Sequence, residues 1–285
     1  MNYQHAFHAG NFADVHKHAV LARILAYLRQ KPAAFRVIDS HAGAGRYDLL
    51  GNEASRSGEW REGIARVWEA AQADAKLGEL LADYLGAVAA CNPGGNLRTY
   101  PGSPLIVQKM LRSQDRLIAC ETEPRASASL AGFLRGDRRA KALAIDGWTA
   151  IAAYVPPKER RGLVVIDPPF EDAFDFTRLS ESLSAAHRKW PTGIYMLWYP
   201  IKTREGPDAL ARRMQRLAIA EILRCEITLR RPRADAGLAG SGLILVNPPF
   251  TLEHDLQVLL SRLLRILAPQ AGQASRRIDW LTANR

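Results

Sequence analysis

The sequence predicts an α/β protein built on a doubly wound, mostly parallel sheet. Segments typical of strands and helices alternate along most of the 285 residues, as in sheets that carry helices on both faces. The clearest strand, residues 163–166, is a continuous apolar run, which indicates burial on both faces. Near the end, strand-like residues 221–229 and 243–246 flank a glycine-rich turn, which predicts a terminal antiparallel hairpin.

Composition limits the class of protein. Hydrophobic residues make up 47% of the chain, enough for one large α/β domain with an insertion or for two modest domains. A formal net charge of +10 suits a polyanionic partner such as nucleic acid, although charge can also serve solubility alone. The three cysteines, Cys91, Cys120 and Cys225, are scattered and form no zinc pair, which fits the reducing cytoplasm. The start lacks a signal-peptide pattern, and the longest apolar run, residues 193–201, is too short to span a bilayer.

The chain begins with a histidine-rich stretch and a helix. Asn11 and Asp14 mark a helix start, after which apolar residues recur at helical spacing. The histidines are His5, His8, His16 and His18. Residues two apart on a helix do not share a face, and no cysteine or carboxylate-rich partner completes a ligand set, so no metal site is expected. These histidines are expected to contact a ligand or nucleic acid, or to cap the fold.

A glycine loop follows the first strand, residues 35–39. Gly43 and Gly45 let the backbone approach a ligand closely, and a helix N-terminus beyond them would favour negative charge. This GxG pattern gains weight because it directly follows a strand that ends in Asp39. Position 48 holds Asp48 instead of the third glycine of the dinucleotide fingerprint, which argues against NAD and leaves room for another adenosine cofactor.

Residues 52–98 are predicted to be a helical insertion subdomain. Their apolar residues follow helical spacing, with no strand between the helices, and the breaker-rich residues 92–96 end the segment. The main α/β domain then comprises residues 1–51 and 99–285. Within it, residues 1–30 hold the histidine-rich N-terminal stretch and the first helix.

The main domain resumes with a helix and two strands. Ser103 is a good N-cap and Pro104 a good first helical residue, so a helix is expected from Pro104 to about residue 113. The next strand ends in Glu121, where a carboxylate commonly accepts the ribose hydroxyls of an adenosine cofactor. The insertion explains why Glu121 lies further than the usual offset of about 20 residues from the glycine loop. A third strand is closed by Asp146 and Gly147.

The tetrapeptide Asp167-Pro168-Pro169-Phe170 follows the buried strand 163–166. The prolines hold Asp167 in an extended conformation at the carboxyl end of the strand, where open α/β sheets bind ligands. The tetrapeptide resembles the signature of enzymes that methylate exocyclic amino nitrogens. In such an enzyme the carboxylate of Asp167 and the carbonyl of Pro168 can accept both N–H groups of an exocyclic adenine amine. These bonds strengthen as positive charge grows on the nitrogen, and Phe170 can stack on a flipped-out base. Asp167 also offers a place for the proton released after methyl transfer.

A second copy of this pattern, Asn247-Pro248-Pro249-Phe250, follows the strand at residues 243–246. We expect Asp167 to carry the chemistry, because its strand follows the third cofactor strand and lies near the switch point of the sheet. The second copy fits the terminal hairpin, towards the edge of the sheet.

Four features fall at the carboxyl ends of successive strands: the glycine loop after Asp39, then Glu121, Asp146 and Asp167. This order resembles a class I, Rossmann-like, S-adenosylmethionine-dependent methyltransferase. The Asp-Pro-Pro-Phe tetrapeptide resembles the signature of enzymes that methylate exocyclic amino nitrogens.

A narrower resemblance is carried by five motifs spread over the chain. They are Phe7-His8-Ala9-Gly10-Asn11, Asp14-Val15-x-Lys17-His18, His41-Ala42-Gly43-Ala44-Gly45-Arg46-Tyr47, Tyr100-Pro101-Gly102-Ser103-Pro104 and Asp167-Pro168-Pro169-Phe170. Together they resemble the bacterial ribosomal RNA large subunit methyltransferase J family. The resemblance implies a monomeric enzyme that methylates N6 of adenine 2030 in free 23S ribosomal RNA.

The resemblance also implies that residues 1–30 hold an N-terminal cofactor and RNA motif, and it implies roles for individual residues. Tyr3 and His5 would meet the RNA near the target base, and Lys17 would lie beside the cofactor. Phe170 stands where the family often has tyrosine, a change that preserves stacking but removes the phenol hydroxyl. The cofactor site would be lined by His18, His41, Ser103, Glu121, Asp146, Gly147 and Asp167.

Two other functions stay open at this point. A DNA adenine or cytosine amino-methyltransferase would use the same tetrapeptide chemistry, but no separate target-recognition domain is evident. A non-catalytic RNA-binding protein with a methyltransferase fold is the other alternative, and the intact set of cofactor residues argues against it. Arginine-rich patches at residues 138–141, 212–216 and 230–233 are either solvated faces or phosphate contacts.

Overall fold

The computed structural model describes residues 4–172, 174–269 and 272–282, so the predicted RNA contact Tyr3 lies outside the described residues. The strands are β1 (Arg36–Asp39), β2 (Arg46–Asp48), β3 (Thr99–Pro101), β4 (Arg116–Cys120), β5 (Ala140–Leu143), β6 (Gly162–Ile166), β7 (Ile194–Ile201), β8 (Ile222–Thr228), β9 (Gly240–Val246) and β10 (Ser275–Trp280). The α-helices are α1 (Phe12–Gln30), α2 (Asn52–Ser57), α3 (Arg66–Ala73), α4 (Ala75–Ala90), α5 (Ser103–Met110), α6 (Pro124–Leu134), α7 (Gly147–Tyr154), α8 (Asp175–Lys189), α9 (Glu205–Arg216) and α10 (Leu252–Leu267). A 3-10 turn spans His5–Phe7, and a π-helical turn spans Arg61–Ala65.

Eight strands form one sheet in the order β10-β8-β9-β7-β6-β1-β4-β5. From β7 to β5 all neighbours pair in parallel, whereas β9 pairs antiparallel with both β7 and β8, and β10 antiparallel with β8. The predicted doubly wound, mostly parallel sheet and its terminal hairpin are confirmed. The expectation that the second tetrapeptide lies towards the sheet edge is wrong, because β9 lies between β7 and β8. The edge strand β10 was not predicted, since its polar sequence SRRIDW shows no apolar alternation.

The glycine loop leads into a strand, not into the helix N-terminus that the sequence suggested. β2 pairs with β3 in a separate two-stranded sheet, and Gly102 N donates to Gly45 O at 2.9 Å. The start of α5 is thereby brought back to the glycine loop after the long excursion of residues 52–98. Gly102, not Ser103, is the N-cap of α5, and the Ser103 side chain makes no capping hydrogen bond. The helix also ends earlier than expected, because Leu111 is extended.

Hydrophobic clusters lie on both faces of the sheet. One cluster joins α1, α4, α5 and α10 to one face, and a second joins α8 and α9 to the other. Residues 52–98 are helical, as expected, but Leu81 and Tyr84 of α4 share the first cluster with Leu25 of α1. Their treatment as a separate subdomain stays a prediction.

Helix α1 lies in the interior of the fold. Its start is fixed by Asn11, whose side-chain oxygen accepts hydrogen bonds from the backbone N–H groups of Ala13 and Asp14 at 2.9 and 3.0 Å. This confirms the predicted start. In all, 13 of its 19 residues are buried, and four of these are polar. Buried polar side chains need partners, and the partners of these four are Asp167, His5, Tyr100 and a serine of β9, as described below.

Candidate active site

A cavity of about 1290 Å³ opens at the carboxyl ends of β1, β4, β5 and β6. The topology brings the ends of these adjacent parallel strands to one edge of the sheet. The lining contains every residue that was predicted to contact the cofactor: Lys17, His18, His41, Gly43, Ser103, Glu121, Asp146, Gly147 and Asp167. His5, Pro168 and Phe170 line the same cavity.

Glu121 is fixed by the backbone around it. Gly43 N donates to Glu121 Oε2 at 2.9 Å, and Glu123 N donates to Oε1 at 2.8 Å. Gly43 has φ +64°, and a Cβ there would lie 2.2 Å from the hydroxyl of Tyr47, so the loop requires glycine at this position. Each oxygen of Glu121 keeps a second lone pair for a ligand hydroxyl.

His41 presents one ring nitrogen as an acceptor. The hydroxyl of Ser40 donates to Val165 O at 2.9 Å, and so it accepts from His41 Nδ1 at 2.8 Å, which leaves Nε2 unprotonated. Burial lowers the pKa of His41 to about 4, so the ring is neutral at neutral pH. Gly147 packs tightly behind this loop, because a Cβ there would lie 2.2 Å from Ser40 O.

Asp146 has a structural contact as well as a place in the cavity wall. It is the N-cap of α7, and its Oδ2 accepts from the N–H of Thr149 at 2.8 Å and from the Thr149 hydroxyl at 2.9 Å. This cap fixes the start of α7, and with it the position of Gly147, against the cavity.

A buried ion-pair chain links α1 to the tetrapeptide. Lys17 Nζ lies 2.5 Å from Asp167 Oδ2 and 3.0 Å from Asp14 Oδ1. The other oxygen of Asp14 accepts from Gly10 N at 3.0 Å and lies 3.0 Å from His5 Nε2. Burial acts to raise the pKa of Asp14, but the positive charges of His5 and Lys17 outweigh it and hold the pKa well below its ordinary value. Asp14 was predicted as part of a helix start and of a family motif, with no role for its side chain, although its spacing of three residues from Lys17 could have indicated this pair.

Asp39 is a second buried carboxyl group, at the end of β1. It is fully buried, and neither carboxyl oxygen has a hydrogen-bond partner within the described residues. Burial raises the pKa of Asp39 to about 7, and the nearby charge of Asp167 adds to the increase. Ser103 and the backbone of His41 lie near enough to oppose the increase without meeting hydrogen-bond geometry. Asp39 is therefore partly protonated near neutral pH.

Phe170 is held by other aromatic rings. Its φ of +52° closes the turn, and its ring centroid lies 4.8 Å from that of Phe176 and 5.7 Å from that of Trp198. Trp198 Nε1 donates to the hydroxyl of Ser241 at 2.9 Å, and Lys17 Nζ lies 5.8 Å from the centre of the Trp198 ring. Trp198 thus contacts two predicted site residues, and the sequence did not single it out.

The second tetrapeptide lies at the end of the strands opposite to the cavity. Because β9 runs antiparallel to β7, its carboxyl end meets the amino end of β7. There Asn247 Nδ2 donates to the carbonyls of Pro191 and Gly193 at 2.8 and 2.7 Å. Phe250 is 84% exposed, and none of residues 247–250 is among the described residues that line the cavity. The direction of the strand, not a place at the sheet edge, separates the two copies.

The two neighbouring histidines of α1 have different surroundings. His18 lines the cavity, where Nδ1 lies 2.7 Å from the Tyr100 hydroxyl and Nε2 has no hydrogen-bond partner in the described part of the chain. His16 contacts Ser241 and Cys225 in the core at 3.0 and 3.3 Å. Burial lowers the pKa of each ring to about 3. Among the described residues, no three His, Cys, Asp or Glu side chains are grouped as a metal ion would require.

Comparisons with known proteins agree on one family. The family model described as "Ribosomal RNA large subunit methyltransferase D, RlmJ" matches residues 32–282. The chain is 38% identical over 283 residues to ribosomal RNA large subunit methyltransferase J of Haemophilus influenzae, covering 99% of each protein. It is 39% identical over 281 residues to the Escherichia coli protein of the same name, again covering 99% of each.

A solved structure is also similar. The crystal structure of protein LPL1258 from Legionella pneumophila superposes with a TM-score of 0.88 at 33% sequence identity, covering 96% of this chain and 98% of that one.

Within the described residues, no helix has the length and apolar character needed to cross a membrane.

Proposed function

Since this chain belongs to the ribosomal RNA large subunit methyltransferase J family, we propose that its cavity methylates the N6 amino group of an adenine in 23S ribosomal RNA. Family membership makes the chain a ribosomal RNA methyltransferase that uses S-adenosylmethionine. The proposed target is adenine 2030 in free RNA. The observation that carries the assignment of the site is the position of Asp167 and Pro168 in the same cavity wall as the glycine loop.

The cavity suits an adenosine cofactor in three respects. Gly43 leaves space where a side chain would clash. Glu121, fixed by two backbone N–H groups, can accept hydrogen bonds from ribose hydroxyls. The buried Nε2 of His18 has no hydrogen-bond partner within the described residues. A hydrogen bond from a bound polar group would offset the cost of burying this atom. We propose that Lys17, His41, Ser103, Asp146, Gly147 and Asp167 complete the cofactor site.

When bound, the cofactor supplies a methyl group that a nitrogen lone pair can attack, because the positively charged sulfur that carries it leaves as a neutral thioether. Asp167 and Pro168 act on the nitrogen. Lys17 holds Asp167 Oδ2 at 2.5 Å, so the other carboxylate oxygen remains to accept one N–H of the adenine amine, and Pro168 O accepts the second. Both bonds increase the electron density on the nitrogen and strengthen as it becomes positive. The carboxylate of Asp167 is also the nearest proposed acceptor for the proton that the methylated nitrogen releases.

The target base must leave its helix to reach this cavity. We propose that Phe170 stacks on the extruded adenine. The ring is preorganised, because Phe176 and Trp198 restrict it from two sides. His5, held by Asp14 at 3.0 Å, and Tyr3 are proposed to contact the RNA beside the target base.

The test is methylation of protein-free 23S ribosomal RNA by the purified protein, followed by mapping of N6-methyladenine. One N6-methyladenine is expected, and this modification should be absent from the RNA of a deletion strain. Duplex DNA, tested in parallel, should stay unmodified. Methylation of the DNA alone would support an amino-methyltransferase of DNA instead, and a failure to bind S-adenosylmethionine in calorimetry would support a non-catalytic RNA-binding protein.

We also propose that the protein acts as a monomer in the cytoplasm. Cys91, Cys120 and Cys225 are all free thiols, which is compatible with a reducing compartment. Light scattering during gel filtration should give one species near the chain mass of 31.5 kDa. A mass of twice that value would contradict the monomer.

A further inference from the structure

A second groove lies at the same edge of the sheet as the cavity. β7 and β8 both run antiparallel to β9 and therefore parallel to each other, so β8 ends at the edge where β6 delivers Asp167. β10 begins at that edge, because Ser275 pairs with Thr228. Here a groove of about 490 Å³ is lined mainly by polar and basic side chains, including Arg204, Glu226, Thr228, Arg231, Arg276 and Arg277.

The groove and the cavity are neighbours. Lys202 and Arg230 line the cavity, whereas Arg204 and Arg231 line the groove. The basic residues of the cavity and those of the groove are thus only one or two positions apart in the chain. From β6 to β10 the sheet takes four strand steps, a distance of about 19 Å at ordinary strand spacing.

The charge of the groove is not cancelled by its single carboxylate. Glu226 is only 2% exposed and accepts hydrogen bonds from Tyr199 and Arg204, each at 2.8 Å. Arg277 pairs with Asp279 at 3.2 Å. Arg231 and Arg276 are exposed, and neither pairs with a carboxylate within the described residues. Arg276 instead donates to the neutral side chain of Gln257.

This arrangement suits phosphate groups on a flexible strand. Guanidinium groups donate paired hydrogen bonds to phosphate oxygens, and the hydroxyls of Thr228 and Ser275 add weaker donors. We propose that the groove binds the phosphate backbone of the RNA strand that flanks the target adenine. This inference rests on the proposed function. It assigns RNA contact to one of the three arginine-rich patches of the sequence, the one at residues 230–233, together with the start of β10.

The test is the double variant Arg231→Ala/Arg276→Ala, which leaves both arginine–carboxylate pairs of the groove intact. Its matched control is Arg212→Ala/Arg213→Ala, which removes two exposed arginines of α9 that line neither the groove nor the cavity. Steady-state methylation of 23S ribosomal RNA is measured between about 50 and 200 mM salt. In the groove variant, KM for RNA should rise about tenfold with kcat within about twofold, and the dependence of log KM on log salt should be shallower by about 1.4, the value for two phosphate contacts on a single strand. The control should match the wild type.

Two further measurements separate the possible failures. Unchanged affinity for S-adenosylmethionine and an unchanged Tm show that the groove variant is folded, and Arg231→Lys/Arg276→Lys should recover most of the lost affinity for RNA. If the wild type methylates the RNA but the groove variant keeps its KM and salt dependence, or if the control loses as much, the groove is not the RNA contact and the proposed function stands. If the wild type methylates no ribosomal RNA, the proposed function itself fails.

Discussion

The side chain of Asp39 lies at the end of β1 with no exposed surface and no hydrogen-bond partner among the described residues. Its pKa of about 7 exceeds the ordinary value of 3.8. Between about pH 4 and 7 the folded chain therefore keeps a proton that the unfolded chain has released. Stability from this group falls as the pH rises through that window, by at most roughly 4 kcal/mol.

Replacing Asp39 by asparagine should remove this pH dependence. The amide of the variant cannot ionise, so its free energy of unfolding should increase relative to the wild type as the pH rises from about 5 to about 8. Urea denaturation across that range measures the difference. Parallel curves for the two proteins would show that Asp39 has an ordinary pKa in the folded chain.

The two tetrapeptides predict opposite phenotypes for alanine variants. Asp167→Ala removes a proposed acceptor of the amine, so kcat should fall by about 100-fold or more. Asn247→Ala should leave kcat near the wild-type value but lower stability by about 1–3 kcal/mol, because two backbone carbonyls lose their donor. Methylation assays and thermal unfolding of both variants decide the matter. Activity lost only in Asn247→Ala would reverse the assignment.

For individual residues, the sequence was sufficient to predict the site residues that directly follow strands. Glu121, Asp146 and Asp167 could be placed together, because the carboxyl ends of parallel strands share an edge. Trp198 could not, since it lies within an apolar strand and its contacts with Lys17 and Phe170 come from distant parts of the chain.

At the scale of elements, the start of α7 packs closely against the loop that carries Ser40 and His41. A Cβ at Gly147 would lie 2.2 Å from Ser40 O and 2.7 Å from the ring of His41. Gly147→Ala should therefore shift both groups, weaken S-adenosylmethionine binding and lower stability by about 1–3 kcal/mol. Calorimetry and thermal unfolding measure the two effects.

The control for this variant is Gly132→Ala in α6. That glycine is inside a helix with nothing within 4 Å of the added Cβ, so the change should raise stability by about 0.5–1 kcal/mol and leave the affinity for S-adenosylmethionine unchanged. Equal behaviour of the two variants would mean that α7 has room to move.

Elements were predictable where one local pattern dominates. The apolar runs of β6 and β7 and the spaced leucines of α10 gave clear strands and a clear helix. The short strands β2 and β3 have only three residues each, and β10 is polar, so their pairing depends on contacts that no local pattern reveals. The sequence also did not predict that a strand, rather than a helix, follows Gly45. The insertion moves the helix of the usual βαβ unit to α5.

For the whole molecule, three buried histidines predict sensitivity to acid. The pKa values of His16 and His18 fall to about 3 and that of His41 to about 4. Below about pH 6.5 the unfolded chain binds three protons at these sites that the folded chain does not, and so stability falls as the pH falls. Each histidine contributes at most about 1.4 kcal/mol per pH unit.

Urea denaturation between about pH 7.5 and 5 should show this loss of stability. In His16→Gln, which changes a ring outside the cavity and can keep a hydrogen bond to Ser241, the pH dependence should be about half that of the wild type, because the proton kept by folded Asp39 offsets one of the three histidine protons in this range. If the variant has the same slope as the wild type, His16 is charged in the folded protein.

Helix α1 carries Lys17 and His18 to the cavity while its leucines fill the hydrophobic core. No step of unfolding can then release this helix and preserve the site, or open the site and preserve the core. Loss of S-adenosylmethionine binding and loss of helical circular dichroism should therefore follow one common transition in denaturant. The enzyme is expected to be either fully competent or fully unfolded, with no partly folded form that still holds its cofactor.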